Sequence, residues 1–394
     1  MSALRSLSSA SLEARRLRLL HVTTVHAPFD TRVFAKEARS LAGAGHDVTL
    51  ATTLAAREQR NGVRLLPLGA YGGSRFNRVL RGLRAFRTMM TERYDVAHLH
   101  DPELLVVAAI PMLLGRRVVY DVHEFYRDEI KVKLWLHPLI RHAASFTYVV
   151  LESLALRRLA GIVVVSHVMR ARYAGRLPDE HIAVVRNFPS ITEDDRSEAL
   201  ARPPQCSRPY VVHTGGASRI RAFDLLVAAA ERLRIRGVRA PIACIGEIDL
   251  AGYPDPEKLL RRASDADVIL PGRVPYVEAL RWTAHARVGY LPLEPSTNNA
   301  LGLPNKIFEY FAFGLPVVAT SLGGPVDDAV QDGGGTLVPP RDPERHAAAL
   351  ERYLVDDAAH SVAAVRSAAA GRLTTFEGEL AALERLYAHI TEES

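Results

Sequence analysis

Short β-branched apolar runs alternate with helix-length amphipathic stretches along this chain, and that alternation restricts its fold more than any single motif. The opening run, LRLLHVTTV at 17–25, carries apolar residues on both alternating sets of positions. Such a strand is buried on both faces, which a parallel sheet covered by crossover helices provides. DVTLAT (47–52), DVAHLH (95–100), RVVYDVH (117–123), GIVVVS (161–166) and IAVVRN (182–187) repeat the pattern, with helix-length spacings between them. The stretch after Ser190, ITEDDRSEALARPPQCSRP, is polar and rich in proline and reads as an interdomain linker. The rhythm then restarts with strands PYVVHTGG (209–216), PIACIGE (241–247), DVILPGRV (267–274), ARVGYLPL (286–293) and PVVAT (316–320). The expected architecture is α/β: a loose tail at 1–18, Rossmann-like domains at 19–200 and 209–375, and a helix at 376–394 packing back on the first domain.

A length of 394 residues suits two domains, and 48% hydrophobic with 24% charged residues is the balance of an ordinary globular protein. The two cysteines, Cys206 and Cys244, fit neither a disulfide scaffold nor zinc-ligand spacing. The net charge of +6 and pI near 9.4 favour anionic partners. Nucleic acid is the poorest of these, because the arginines are dispersed and no aromatic-interleaved basic block occurs. The N-terminus lacks the apolar core of a secretory signal, so the expected location is cytoplasmic, with peripheral membrane contact as a further option. Residues 131–161 are apolar but punctuated by charge, and are read as core helices with a basic rim in preference to a membrane-contacting surface.

The densest chemical signal is LPLEPSTNNALGLPNKIFEYFAFGLPVVATSLGG at 291–324. A strand ends near Leu293, a polar loop follows, and Pro304 opens a short helix that Gly314 closes. The helix N-terminus then lies at the carboxyl end of a strand, where open α/β sheets bind ligands and free N–H groups suit a phosphate. Lys306 and Glu309 share its polar face, while Ile307, Phe308 and Phe311 face the core. A second signal, HTGGASRIRAFDLL at 213–226, places Gly215 and Gly216 after a strand, with Arg219 and Arg221 beyond them. In the first half, YDVHEFYRDE puts His123 and Glu124 at a strand end, and the loops HAPFDTR and HLHDPE add His26, Asp30, Arg32, His100 and Asp101, expected to face the same crevice. Asp30 is equally the cap, with Thr31 as the other candidate, of a helix in which Phe34, Ala38 and Leu41 recur at α-helical spacing. The pairs Asp194–Asp195 and Asp327–Asp328 are taken as solvated, and no metal site is expected.

The run from Pro304 to Val318, P-x-K-x-x-E-Y-x-A-x-G-x-P-V-V, resembles the donor-site signature of retaining, nucleotide-sugar-dependent glycosyltransferases of the family 4 type, which have the GT-B fold. The resemblance extends from Leu17 to Ile390. It implies that Glu309 binds the nucleotide ribose and that Lys306, Arg219 and Arg221 face the diphosphate, with Gly272, Arg273, Val274 and Leu303 also on the nucleotide side. It makes His123 a sugar-contacting or catalytic residue, and it assigns His26, Asp30, Arg32, His100, Asp101 and Glu124 to the acceptor side. The reaction it implies moves a sugar from a UDP- or GDP-sugar to a glycan, lipid-linked or small acceptor, with no cofactor beyond that co-substrate. Two positions depart from the pattern: Leu301 stands where many members carry a sugar-contacting glutamate, and Ala222 where glycine is usual. The loop 297–302 must then hold the sugar by backbone amides or by Asn298 and Asn299, or not hold it in the family's usual way. An epimerase on the same fold and a non-catalytic nucleotide-binding protein are the alternatives. A nicotinamide-binding domain is disfavoured, since HAPFDTR follows the first strand in place of G-x-G-x-x-G.

Overall fold

The computed structural model describes residues 15–72, 75–123, 126, 127, 130, 137–206 and 208–392. Two sheets organise them. The first runs β3-β4-β2-β1-β5-β6-β7-β8, with β1 at Arg18–Val22, β2 Asp47–Thr52, β3 Glu58–Arg60, β4 Val63–Pro67, β5 Val96–Leu99, β6 Val118–Val122, β7 Gly161–Val164 and β8 Ile182–Val184. All its pairings are parallel except β3 with β4, a hairpin turned by Asn61 and Gly62 at φ 51° and 78°. The second runs β11-β10-β9-β12-β13-β14, wholly parallel, with β9 at Val211–Thr214, β10 Ile242–Ile245, β11 Val268–Gly272, β12 Val288–Leu291, β13 Val317–Thr320 and β14 Thr336–Val338.

Helices cover both faces of the first sheet. Met89 and Ala85 of helix Arg75–Thr91, Leu104 and Met112 of the next two short helices, and Ala155 of helix Pro138–Ala155 pack on one side. The other side holds Val33, Ala38 and Leu41 together with Leu383, Leu386, Tyr387 and Ile390 of the C-terminal helix Phe376–Glu392. That helix, reached after the whole second sheet, completes the core of the first. Glu379 pins it at the crossover by accepting hydrogen bonds from the Arg186 backbone N–H (2.7 Å) and guanidinium (2.6 and 3.1 Å).

Two local expectations are corrected. The polar stretch after Ser190 contains a helix, Glu193–Ala201, whose Thr192–Asp195 capping box uses one of the aspartates expected to be solvated. That helix packs against helix Tyr276–Ala284 of the second half, so the segment is built structure and not an open linker. The first helix also differs: Thr31–Ala38 is a π-helix that continues as α-helix Arg39–Gly43. Asp30 caps it, accepting from the N–H groups of Arg32 (2.8 Å) and Val33 (3.0 Å), and the wider turn begins where Ala35 N–H reaches Asp30 O at 3.0 Å. With more residues per turn than an α-helix, it stacks Arg32 and Glu37, five apart, on one inward edge.

Candidate active site

At the carboxyl end of β9 the chain turns through Gly215 and Gly216. Gly216 has φ +76°, and a Cβ there would run into the backbone of Glu247. Directly over Gly215 lie the side chains of Lys306 and Arg221: a Cβ on Gly215 would sit 2.9 Å from Lys306 Nζ and 3.4 Å from Arg221 Cδ. Tyr310 sets this alignment. Its buried hydroxyl accepts from Thr214 N–H at 2.9 Å, fastening helix Asn305–Ala312 to the end of β9, and its ring fills the space left by Gly289 on β12. Burial, with Arg221 adding to it, pushes the Lys306 ammonium down to about 8, while Glu309 acts in the opposite direction. His213, buried on β9 beside this pair, is pushed down to about 4 by burial and by Lys306, so it stays neutral at pH 7.

Glu309 lies one helical turn beyond Lys306 and accepts a hydrogen bond from Tyr276 at 3.3 Å. Lys36 reaches the same neighbourhood from the first domain, its Nζ donating to Asn187 Oδ1 (2.7 Å) and O (3.0 Å). With its amide turned to suit these partners, Asn305 also accepts from that ammonium at 3.2 Å. Lys36, Asn187, Tyr276 and Asn305 were not anticipated. An N-terminal lysine on a helix gave no sign that it would meet the second domain.

Several expected donor residues are placed differently. Arg219 turns away from Lys306 and donates to Gly252 O at 3.0 Å, so the two arginines do not act as a pair. Asn299 donates to Ile220 O (3.1 Å) and Glu294 O (2.7 Å), tying two loops together with its amide already engaged. Asn298 sits in the short helix Thr297–Leu301, where a loop was expected. Val274 and Leu303 pack on the core of this domain, Gly272 ends β11 at φ +77°, and Arg273 is exposed beyond it. Asp327 organises its own loop, accepting from Ser321 Oγ and from the N–H groups of Leu322 (3.0 Å) and Gly323 (3.2 Å).

Across from these residues His123 follows β6, with Nε2 3.4 Å from Asp121 Oδ2 and its side chain 13% exposed. Burial pushes it down to about 3 despite Asp121, so it too is neutral. His26 packs against it, ring centroids 5.5 Å apart, and pairs through Nδ1 with Asp101 Oδ1 at 3.1 Å. Asp101, buried yet accepting from His26, Thr24 N–H and Thr23 Oγ1, lies at about 2. Asp30 is accounted for by its cap, and Glu124 lies outside the described residues. Arg32 and His100, expected to face the crevice, point the opposite way into the domain.

There they join an unanticipated core of charged groups. Arg32 donates to both oxygens of Asp121 (3.0–3.1 Å), lies 3.1 Å from Glu37 Oε1, and also reaches Val185 O. Glu37 is fully buried, and burial beside Asp121 raises its carboxyl well above the usual range. His21, His98 and His100 surround it, each with a nitrogen 4.0 Å from Glu37 Oε2. Tyr387 of the C-terminal helix meets His98 Nδ1 at 2.5 Å. Among the described residues, His21, Glu37, His98 and His100, or His100, Asp121 and His123, have donor atoms close enough to hold a metal ion. Arg32 already supplies the cation that Asp121 needs, and the same guanidinium touches Glu37.

Residues 30–187 match the family described as "Glycosyl transferase 4-like domain", and residues 208–356 match "Glycosyl transferases group 1". The chain belongs to the family 4-type glycosyltransferases of the GT-B fold. Curated relatives include the D-inositol 3-phosphate glycosyltransferases of Frankia alni, 36% identical over 34% of this chain and 34% of that protein, and of Thermobispora bispora, 36% identical over 43% and 40%. The chain thus spans only a third to two fifths of the length of these relatives. Among solved structures, the fold is shared with sucrose-phosphate synthase from Thermosynechococcus elongatus (TM-score 0.71, 18% identity, 96% and 100% of the two chains). It is shared too with Anabaena HepE in complex with UDP and glucose (TM-score 0.68, 15% identity, 96% and 100%). Within this family-4 frame, Arg221 and Lys306 meet at the carboxyl end of β9 with Glu309 one turn away, and Leu301 and Ala222 remain the departures.

Proposed function

We propose that this glycosyltransferase moves a sugar from a UDP-sugar to an acceptor held beside His123 and the loop at His26, with retention at the anomeric carbon. The observation that carries the reading is the convergence of Lys306 and Arg221 over Gly215, with Glu309 one turn away on the same helix. A diphosphate seated there meets two cations and the helix N-terminus, the groups needed as charge grows on the departing β-phosphate. Glu309, already accepting from Tyr276, has a second oxygen for ribose hydroxyls. HepE, solved with UDP and glucose on this fold, supports UDP as the nucleotide.

His123 is neutral and offers a hydrogen bond to the sugar without carrying charge. Asp121, the carboxylate that faces His123, is committed to Arg32. This favours attack from the face of the departing group over a covalent glycosyl-enzyme. The relatives' names make a phosphorylated polyol one acceptor to test beside glycans and lipid-linked sugars.

Glu309→Ala is expected to weaken UDP binding by about 1.5–3 kcal/mol, the worth of hydrogen bonds to a charged group. Isothermal titration with UDP and GDP reads this directly. Unchanged affinity for both nucleotides removes Glu309 from the site and overturns the proposed donor geometry. Product analysis with labelled UDP-glucose, watching for a new glycoside or an epimerised free sugar, separates transfer from epimerisation.

A further inference from the structure

We infer that the outer helical layer of the first domain is a docking face for an anionic lipid bilayer. The three helical segments on the side of the sheet opposite the C-terminal helix each bury one apolar stripe and present a second one outward. On Arg75–Thr91 the outward residues are Phe76 (68% exposed), Val79 and Leu83, at helical spacings of three and four. On Pro138–Ala155 they are Phe146 (71% exposed), Val150 and Leu154, each four apart. Between these two, Val106 of the short helix Leu104–Val107, which contacts both, continues the exposed surface, and Ile110 and Leu113 are exposed on the helix that follows it. A helix that only covers a sheet needs one apolar stripe and turns polar residues outward. Three neighbouring helices that do otherwise form a contiguous patch of the kind that marks an interaction surface.

Charge selects the occupant. The three segments carry a single acid, Glu152, and it is buried, accepting from Tyr148 (2.6 Å) and Tyr173 (2.8 Å). The cations around the patch include exposed Arg87, Arg157 and Arg158. A second copy would bring the same unbalanced cations against these, whereas anionic headgroups neutralise them while acyl chains take up the apolar side chains. No helix among the described residues is long and apolar enough to cross a membrane, so the contact is peripheral.

The face also adjoins the cleft: Arg78 pairs with Glu103 at 2.7 Å, and Glu103 accepts from Thr24 in the loop that carries His26. On the transferase reading above, an acceptor anchored in the bilayer then lies at the mouth of the site.

The test is co-sedimentation of the full chain with phosphatidylcholine vesicles, with and without phosphatidylglycerol, at low and high salt. Binding is expected only with the anionic lipid at low salt. It should drop about tenfold or more in Leu83→Asp with Phe146→Asp, and in Arg157→Glu with Arg158→Glu. These positions are exposed, so the thermal midpoint and UDP affinity should stay at parent values, a readout that separates this inference from the donor-site proposal. Equal binding to both vesicle types, binding unaffected by the substitutions, or a lipid-free dimer abolished by them overturns it.

Discussion

Arg32→Leu is expected to lower the stability of the first domain by about 3–5 kcal/mol, the cost of leaving a buried charge without its partner. The guanidinium holds Asp121 bidentately, touches Glu37 and reaches Val185 O, all in a region closed to water. Removing it leaves the Asp121 carboxylate with only neutral histidines around it. Arg32→Lys should recover part of the loss, because an ammonium restores the charge without the planar fork. The double change Arg32→Leu with Asp121→Leu should recover more, since neither charge is then buried. Urea titration followed by circular dichroism measures all three. A loss below about 1 kcal/mol in Arg32→Leu would show that water reaches this core and that Arg32 is not its counter-ion.

Arg221→Ala and Lys306→Ala should each lower turnover by about 10²–10³, as removal of a donor aimed at developing charge does. The donor Michaelis constant should rise by less, because leaving-group charge is larger in the transition state than in the bound donor. Steady-state kinetics with UDP-glucose separates the two parameters, and an effect confined to the Michaelis constant assigns these residues to ground-state binding. Lys306 adds a pH signature. Its ammonium lies at about 8 in the free protein, and only the protonated form attracts a diphosphate. UDP affinity should therefore fall as pH rises through about 8. Lys306→Ala should abolish that fall. Lys36 also lies at about 8, but its ammonium is bound to Asn187, so Lys36→Ala should leave the fall in place.

The strands of both sheets were legible because burial on both faces writes a dense β-branched run into the sequence. The weaker strands were not. β3 is exposed at every residue and has no such run, although Asn61–Gly62 gave a hairpin signal that was open to reading. Helix Asn305–Ala312 was legible because Lys306 and Glu309 sit on an apolar-backed helix after a strand. Arg219 and Arg221 look alike in sequence, and only the turn after Gly216 decides that one reaches Lys306 while the other reaches Gly252. The inward turn of Arg32 and the burial of Glu37 were hidden by an assumed α-helical period. On a π-helix the residues that stack are five apart, and no periodicity in the sequence announces it.

The return of helix Phe376–Glu392 to the first sheet also sets an order of events in time. During synthesis residues 15–187 leave the ribosome first, yet the part of their sheet that the C-terminal helix covers, at Val163 of β7 and Ala183 of β8, stays open until the second sheet has been made. Domains generally fold in the order they emerge. Here the domain begun first is completed last, when Leu383, Leu386 and Tyr387 arrive. A chain cut ahead of Phe376 would keep every residue of the second sheet while leaving an apolar wall of the first open to water, where nascent chains can associate.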